Sequence, residues 1–254
     1  MGSKLKLITI FILICSASLS YAVSSYTFDA DVDTQIYEKQ PSFDYSNHTT
    51  FVVGSFLDGG VNFDVQGLLK FDVSSIAPGQ TATDAFIQLH ITNRTSTAGT
   101  LSVEAFKIGS SWNTSTVTYP DRLTLPEGAD IISYLSYSTN GGSTWQDIFK
   151  NNPVYGLPDT PSTYEVRIYL NVDGLSLIDS WISDSSQNYG ILLKSPFNNS
   201  VTNYARFSAL EGGSGYATLH LTTEDVSGPA VPEPATIILS LISAVSLFIK
   251  RRIN

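Results

Sequence analysis

"DAFIQLHIT" (84–92) puts Ala85, Ile87, Leu89 and Ile91 on one side of an extended chain and Gln88, His90 and Thr92 on the other. Alternation with a period of two is the pattern of a strand with one buried face and one wetted face. The same pattern recurs on either side. "TLSVEAFKI" (100–108) sets Leu101, Val103 and Ala105 against Ser102 and Glu104, and "YEVRIYLNV" (164–172) sets Tyr164, Val166, Ile168 and Leu170 against Glu165, Arg167 and Asn171. Shorter apolar runs lie at 49–54, 67–73, 190–194, 204–209 and 217–223. Gly-rich turn clusters at 58–60, 77–80, 140–142 and 211–215 separate them. Only "VDGLSLIDSWISD" is helical in period, with Leu175, Ile178, Trp181 and Ile182 on one stripe. Many short strands with tight turns and one short helix predict an all-β domain, a sandwich of two antiparallel sheets.

The two ends follow a different grammar. Lys4 and Lys6 precede an apolar stretch from Leu7 to Ile14, and Ser20-Tyr21-Ala22 supplies small residues before a cut between Ala22 and Val23. That order predicts a signal peptide over 1–22, handled by the Sec machinery. At the other end, a spacer over 224–230 leads to Val231, Pro232, Glu233 and Pro234, an apolar run over 235–249, and the basic cluster Lys250, Arg251, Arg252. Fifteen helical residues span roughly 22 Å, a marginal crossing of a ~30 Å hydrocarbon core. The basic cluster would stay on the cytoplasmic side, leaving the bulk of the chain outside.

Charge and cysteine narrow the function. Five of the 14 basic residues but only one of the 23 acidic residues fall in the two end segments, so the body is more acidic than the whole chain's net −9. Such a body repels phosphate backbones, which excludes nucleic acid as a partner. The single cysteine, Cys15, is lost with the leader, so the domain over 23–223 must hold by packing without a disulfide.

Two resemblances follow from these residues. Pro-Glu-Pro, an apolar helix and a terminal basic cluster resemble the PEP-CTERM sorting signal of Gram-negative bacteria. The resemblance implies recognition by an exosortase, a membrane-embedded transpeptidase that cuts near Pro232-Glu233-Pro234, with transient inner-membrane anchoring and delivery to the outer surface or extracellular matrix. In the body, "ADVDTQIYEKQPSFDYSNHTTFVVGS" (30–55), "GLLKFDVSSIAPGQTATDAFIQLHI" (67–91), "SSWNTSTVTYPDR" (110–122), "WISDSSQNYGILLK" (181–194) and "ARFSALEGGSGYATLHL" (205–221) resemble the ordered blocks of the DNRLRE domain, a family classed among carbohydrate-binding modules. This implies a jelly-roll β-sandwich that contacts extracellular polysaccharide without catalysis. The chain departs from the family at Asp44-Tyr45-Ser46 and at Tyr119, and 129–163 has no counterpart and reads as an insertion. The alternatives are a structural or adhesive matrix component with no defined sugar site, and a polysaccharide lyase or hydrolase.

Candidate site residues come from the chemistry of sugars, which stack on aromatic faces and hydrogen-bond to a few polar groups. Tyr119, Trp145 and Tyr155, with Tyr134 and Tyr137 nearby, are the aromatic candidates, and Arg122 and Arg206 could pair with uronate carboxylates. Trp112 and Trp181 read as core anchors. "STNGGSTW" (138–145) resembles a single Asp-box with Asn140 in place of the acid, and its Asn-Gly-Gly reads as a hairpin turn. No catalytic set emerges: His48, His90 and His220 lack metal-ligand spacing, and nothing selects a carboxylate pair for glycoside hydrolysis. Asp29, Asp31 and Asp33 alternate at the first strand, which would place three carboxylates on one face. Either a structural calcium neutralises them or they form an acidic strand edge. The tail supplies the first prediction. Glu233→Ala should leave a membrane-retained precursor of unreduced size on a blot, and normal maturation of that variant would refute the sorting assignment.

Overall fold

Twelve strands form among the described residues; the runs at 84–92 and 164–172 fall on strands, while of 100–108 only the second half does, with Leu101 held by an isolated bridge to Leu157. The strands are β1 (Val23–Tyr37), β2 (Thr50–Asp58), β3 (Val61–Phe71), β4 (Gln80–Ser96), β5 (Glu104–Ile108), β6 (Pro126–Glu127), β7 (Ile132–Ser138), β8 (Gln146–Phe149), β9 (Tyr164–Leu170), β10 (Ile191–Lys194), β11 (Asn203–Ser208) and β12 (Thr218–Asp225). The computed structural model describes residues 22–226 except 97–98, 124, 153–154, 160 and 197–200, with backbone alone at 122, 123 and 127. The leader and the sorting tail, including the apolar run 235–249, therefore lie outside the described residues. Among those described, no helix is long and apolar enough to cross a membrane. Val23–Val226 make up one compact unit, with β12 running to Asp225 and so taking in the first two residues of the expected spacer.

Two separate sheets were expected, but the hydrogen bonds join all twelve strands into one antiparallel network. The cause is the length of β1 and β4, which change partners midway. The first half of β1 pairs with β12 from Val23 to Asp29, and after an extra residue at Asp31 the second half pairs with β3. β4 pairs with β12 over its first half and with β11 over its second. Since β2 joins β3 to β11, the six strands β1, β3, β2, β11, β4 and β12 close into a ring. Two arms leave it: β10, β5 and β6 beside β3, and β9, β7 and β8 beside β4.

The inward faces of the two arms meet in the main core. Leu69, Ile191 and Ala105 from one side join Ile87, Leu89, Val166, Ile168 and Leu135 from the other, all at most 1% exposed. Phe51 of β2 and Phe207 of β11 close the core at the ring, with centroids 5.2 Å apart. At Gly67 of β3 a side chain would stand 2.8 Å from the Phe51 ring, so only glycine lets the two elements approach. Gly54 of β2 is stricter still. Its φ is +132°, and a Cβ there would lie 2.2 Å from the Asn203 carbonyl oxygen.

The helix α1 (Val172–Ser183) starts where expected. The Asn171 carboxamide caps it by accepting the N–H groups of Asp173 and Gly174. Leu177, Ile178, Trp181 and Ile182 of its buried stripe pack into the main core. The outer face of the β3–β10–β5 arm is not wetted as a simple sandwich would have it. Ile36, Leu68, Leu192 and Ile108 point there and are covered by Val117, Tyr119 and Leu125 of the following loop, with Trp112 packed alongside.

Asp33, 3% exposed, accepts the Leu210 N–H at Oδ2 (2.8 Å), while its buried Oδ1 has no partner among the described residues. Burial pushes this carboxyl up to about 7; the Leu210 N–H opposes that shift and Glu211 adds to it. Folding thus favours the protonated form. Its contribution is complete below the unfolded value near 3.8 and is lost as pH rises towards 7. Asp33→Asn should therefore gain Tm relative to wild type, by several degrees, as pH is raised from about 4 to about 8. An unchanged Tm difference across that range in calorimetry would contradict this.

Candidate functional site

Where β1 and β3 curl towards the outer face of β2 and β11, they leave a cleft of about 280 Å³. Gln35 and Tyr37 enter it from β1, Val52 and Phe56 from β2, Arg206 from β11, and Tyr45 and His48 from the loop between β1 and β2. The strand registers explain the gathering. Arg206 pairs with Val52 and Tyr204 with Gly54, so both project from the side opposite Phe207 and Ala205, which fill the core. Phe56 stacks on Tyr204 at 4.1 Å and meets Tyr37 at 5.8 Å. A second aromatic group overlooks the opening: Tyr45 lies 4.7 Å from Phe43 and 5.0 Å from His48.

Polar groups in this wall are few and fixed. Tyr45 donates to Gln40 Oε1 at 2.7 Å, which orients its ring, and burial raises its hydroxyl above the ordinary tyrosine range. The Tyr37 hydroxyl is raised for the same reason, so both stay neutral donors at neutral pH. Gln35 is only 9% exposed, and its Oε1 finds no partner among the described residues. Arg206 is exposed and adds a fixed positive charge.

A second aromatic assembly crosses the other arm, and its geometry differs. His220, Phe86, Tyr169, Tyr134 and Phe149 are cross-strand neighbours on β12, β4, β9, β7 and β8. They stand as a ladder, with Tyr134 and Tyr169 4.2 Å apart at 8° and Phe86 and His220 4.5 Å apart at 12°. Cross-strand ring stacking of this kind stabilises the sheet. Arg167 closes it, lying 3.8 Å over Trp145 and 4.6 Å over Phe86.

The residues expected from sequence separate accordingly. Tyr119 is not a surface aromatic: it is 6% exposed in the second core and faces Asp64 at 3.3 Å. Trp145 sits on the β7–β8 hairpin, donates to the Gly142 carbonyl at 3.0 Å and lies under Arg167. Asn140 caps that turn by accepting the Thr144 N–H, the hairpin role expected for "STNGGSTW". Tyr155 packs against the main core and donates to the Val103 carbonyl at 3.1 Å. The Arg122 side chain lies outside the described residues. Of the four whose side chains are described, Arg206 alone reaches the cleft. The sequence reading missed Gln35, Tyr37, Tyr45, His48 and Phe56, although the first four lie in the 30–55 block and Phe56 directly follows it.

The stretch 129–163 is built into the fold, since β7 and β8 extend the β9 arm. The three aspartates do not gather. Asp29 accepts the Tyr216 hydroxyl at 3.2 Å, the extra residue Asp31 is exposed, and Asp33 is buried against Leu210. The bulge breaks the alternation that would have aligned them. Among the described residues no group of three or more His, Cys, Asp or Glu side chains could hold a metal ion.

With this geometry in view, one comparison bears on it. Residues 24–149 match the model of Carbohydrate-binding module family 96. The match covers just under half of the chain, from β1 to β8, and so includes every cleft residue except Arg206. No curated protein matches the chain significantly. Because the aspartates diverge, neither a chelator nor added calcium should move the melting temperature. A rise of several degrees with millimolar calcium would show a site that these residues do not form.

Proposed function

We propose that the chain is a carbohydrate-binding protein that holds an extracellular polysaccharide without cutting it. The observation that carries this reading is the cleft, where the half-buried rings of Tyr37 and Phe56 stand beside the exposed Arg206. Aromatic surface against the C–H faces of a sugar, with few polar groups to fix its hydroxyls, is the chemistry of such sites. The family match supports it, since it spans the strands that supply most of the cleft. Among the described cleft residues there is no carboxylate, whereas glycoside hydrolysis ordinarily needs two across the scissile bond.

The termini complete the proposal. The leader over 1–22 exports the chain through the Sec machinery, and the tail over 231–254 holds it briefly in the inner membrane as a PEP-CTERM-type substrate. An exosortase then releases the DNRLRE-like domain to the outer surface or matrix of a Gram-negative cell. The apolar runs, Pro232-Glu233-Pro234 and the terminal Lys250, Arg251 and Arg252 support this part.

A glycan array with the purified chain tests the binding claim. Wild type should bind at least one polysaccharide class, and Arg206→Ala and Tyr37→Ala should each weaken it about tenfold or more. Phe149→Ala at the exposed end of the ladder should leave binding unchanged. Binding lost with Phe149 but kept with Arg206 and Tyr37 altered would move the site to the other arm.

A further inference from the structure

Beyond the aromatic cleft, the same outer face carries a second hollow of about 530 Å³, and Thr50 lines both. On β11, Ser208 follows Arg206 by one pleat, and Thr50 follows Val52 in the same way on the paired strand β2. The floor then crosses β4 and β9 through Thr92, His90 and Glu165. Two strand spacings of about 4.8 Å separate β11 from β9, so the surface runs on for roughly 10 Å past Arg206. This is further than a single sugar ring reaches.

The second hollow has a different character from the first. Its lining carries no large apolar side chain; hydroxyl groups and one hydrogen-bonded pair make it up. His90 Nδ1 and Glu165 Oε1 are 2.8 Å apart, which fixes the carboxylate and leaves Oε2 without a partner among the described residues. The 210–215 turn forms a wall. A Cβ at Gly215 would lie 3.3 Å from that of His90, so the backbone there passes close above the floor. An oriented carboxylate accepts strong hydrogen bonds from adjacent hydroxyls and repels a second carboxylate.

We infer that this hollow is a second subsite, which takes uncharged, hydroxyl-bearing sugar units of an internal stretch of a linear polysaccharide whose neighbouring unit occupies the aromatic cleft. The inference rests on the carbohydrate reading and adds to it that the ligand is a chain segment rather than a chain end or a free sugar. Glu165 accepts the hydroxyls, Thr92 and Ser208 complete the contacts, and the aromatic cleft anchors the adjoining unit.

Isothermal titration of the purified full-length chain with the disaccharide and hexasaccharide of a neutral β-1,4-glucan, and with the matching galacturonan oligomers, tests this. The neutral hexasaccharide should bind about tenfold tighter than the disaccharide. Glu165→Gln, and independently Thr92→Val, should bring that ratio close to one. Measuring Tm for both variants separates loss of folding from loss of contact. A wild-type ratio near one, or a ratio that survives both substitutions, overturns the second subsite and leaves the cleft standing. An equal length gain in the galacturonan series overturns its preference for uncharged units. Absence of binding to every oligomer overturns the carbohydrate reading itself, and the subsite with it.

Discussion

Closure of the strand ring through β2 and β11 is the constraint on which the molecule depends. It demands a bulge at Asp31 so that β1 can leave β12 for β3, and a glycine at 54 where β2 bends against β11. Any side chain at Gly54 would collide with the Asn203 carbonyl and would also resist the positive φ. Arg94 secures the same corner from the other strand. Its buried guanidinium donates to the carbonyls of Thr95, Gly99 and Tyr204 and to Asn203 Oδ1, tying β4 to the start of β11. With no cysteine in the body, closure by packing and hydrogen bonds does what cross-links do in many exported domains.

The cleft follows from that closure. Tyr37 ends β1, Phe56 lies near the end of β2, and Arg206 and Tyr204 are carried by β11, so they meet only because the ring brings three strand ends together. On the opposite arm the rings stand in cross-strand register and stack on one another, which strengthens the sheet.

Much of the fold was legible in the sequence. The alternation in 84–92 and 164–172 placed the inward residues of β4 and β9, and the stripe around Trp181 placed α1. Asn-Gly-Gly marked the β7–β8 turn. The ring was not legible, because a period-two pattern states which residues are buried and says nothing of which strand pairs with which. The bulge hid behind Asp29, Asp31 and Asp33, whose spacing looked regular. Tyr119 was misread because its loop is polar, yet that loop folds over Leu68 and Leu192 as a second core. Of the candidate site only Arg206 was found, since Tyr37 and Phe56 sit on different strands and come together only through the β2–β3 hairpin.

Ring closure shapes the aromatic cleft into the proposed sugar-binding face. The most direct measurement is amide chemical-shift mapping of the labelled chain during titration with a polysaccharide fragment that it binds. Shifts should cluster on Gln35–Tyr37, Tyr45–Val52, Phe56 and Tyr204–Arg206. Shifts centred instead on the ladder from His220 to Phe149, with those segments silent, would contradict it.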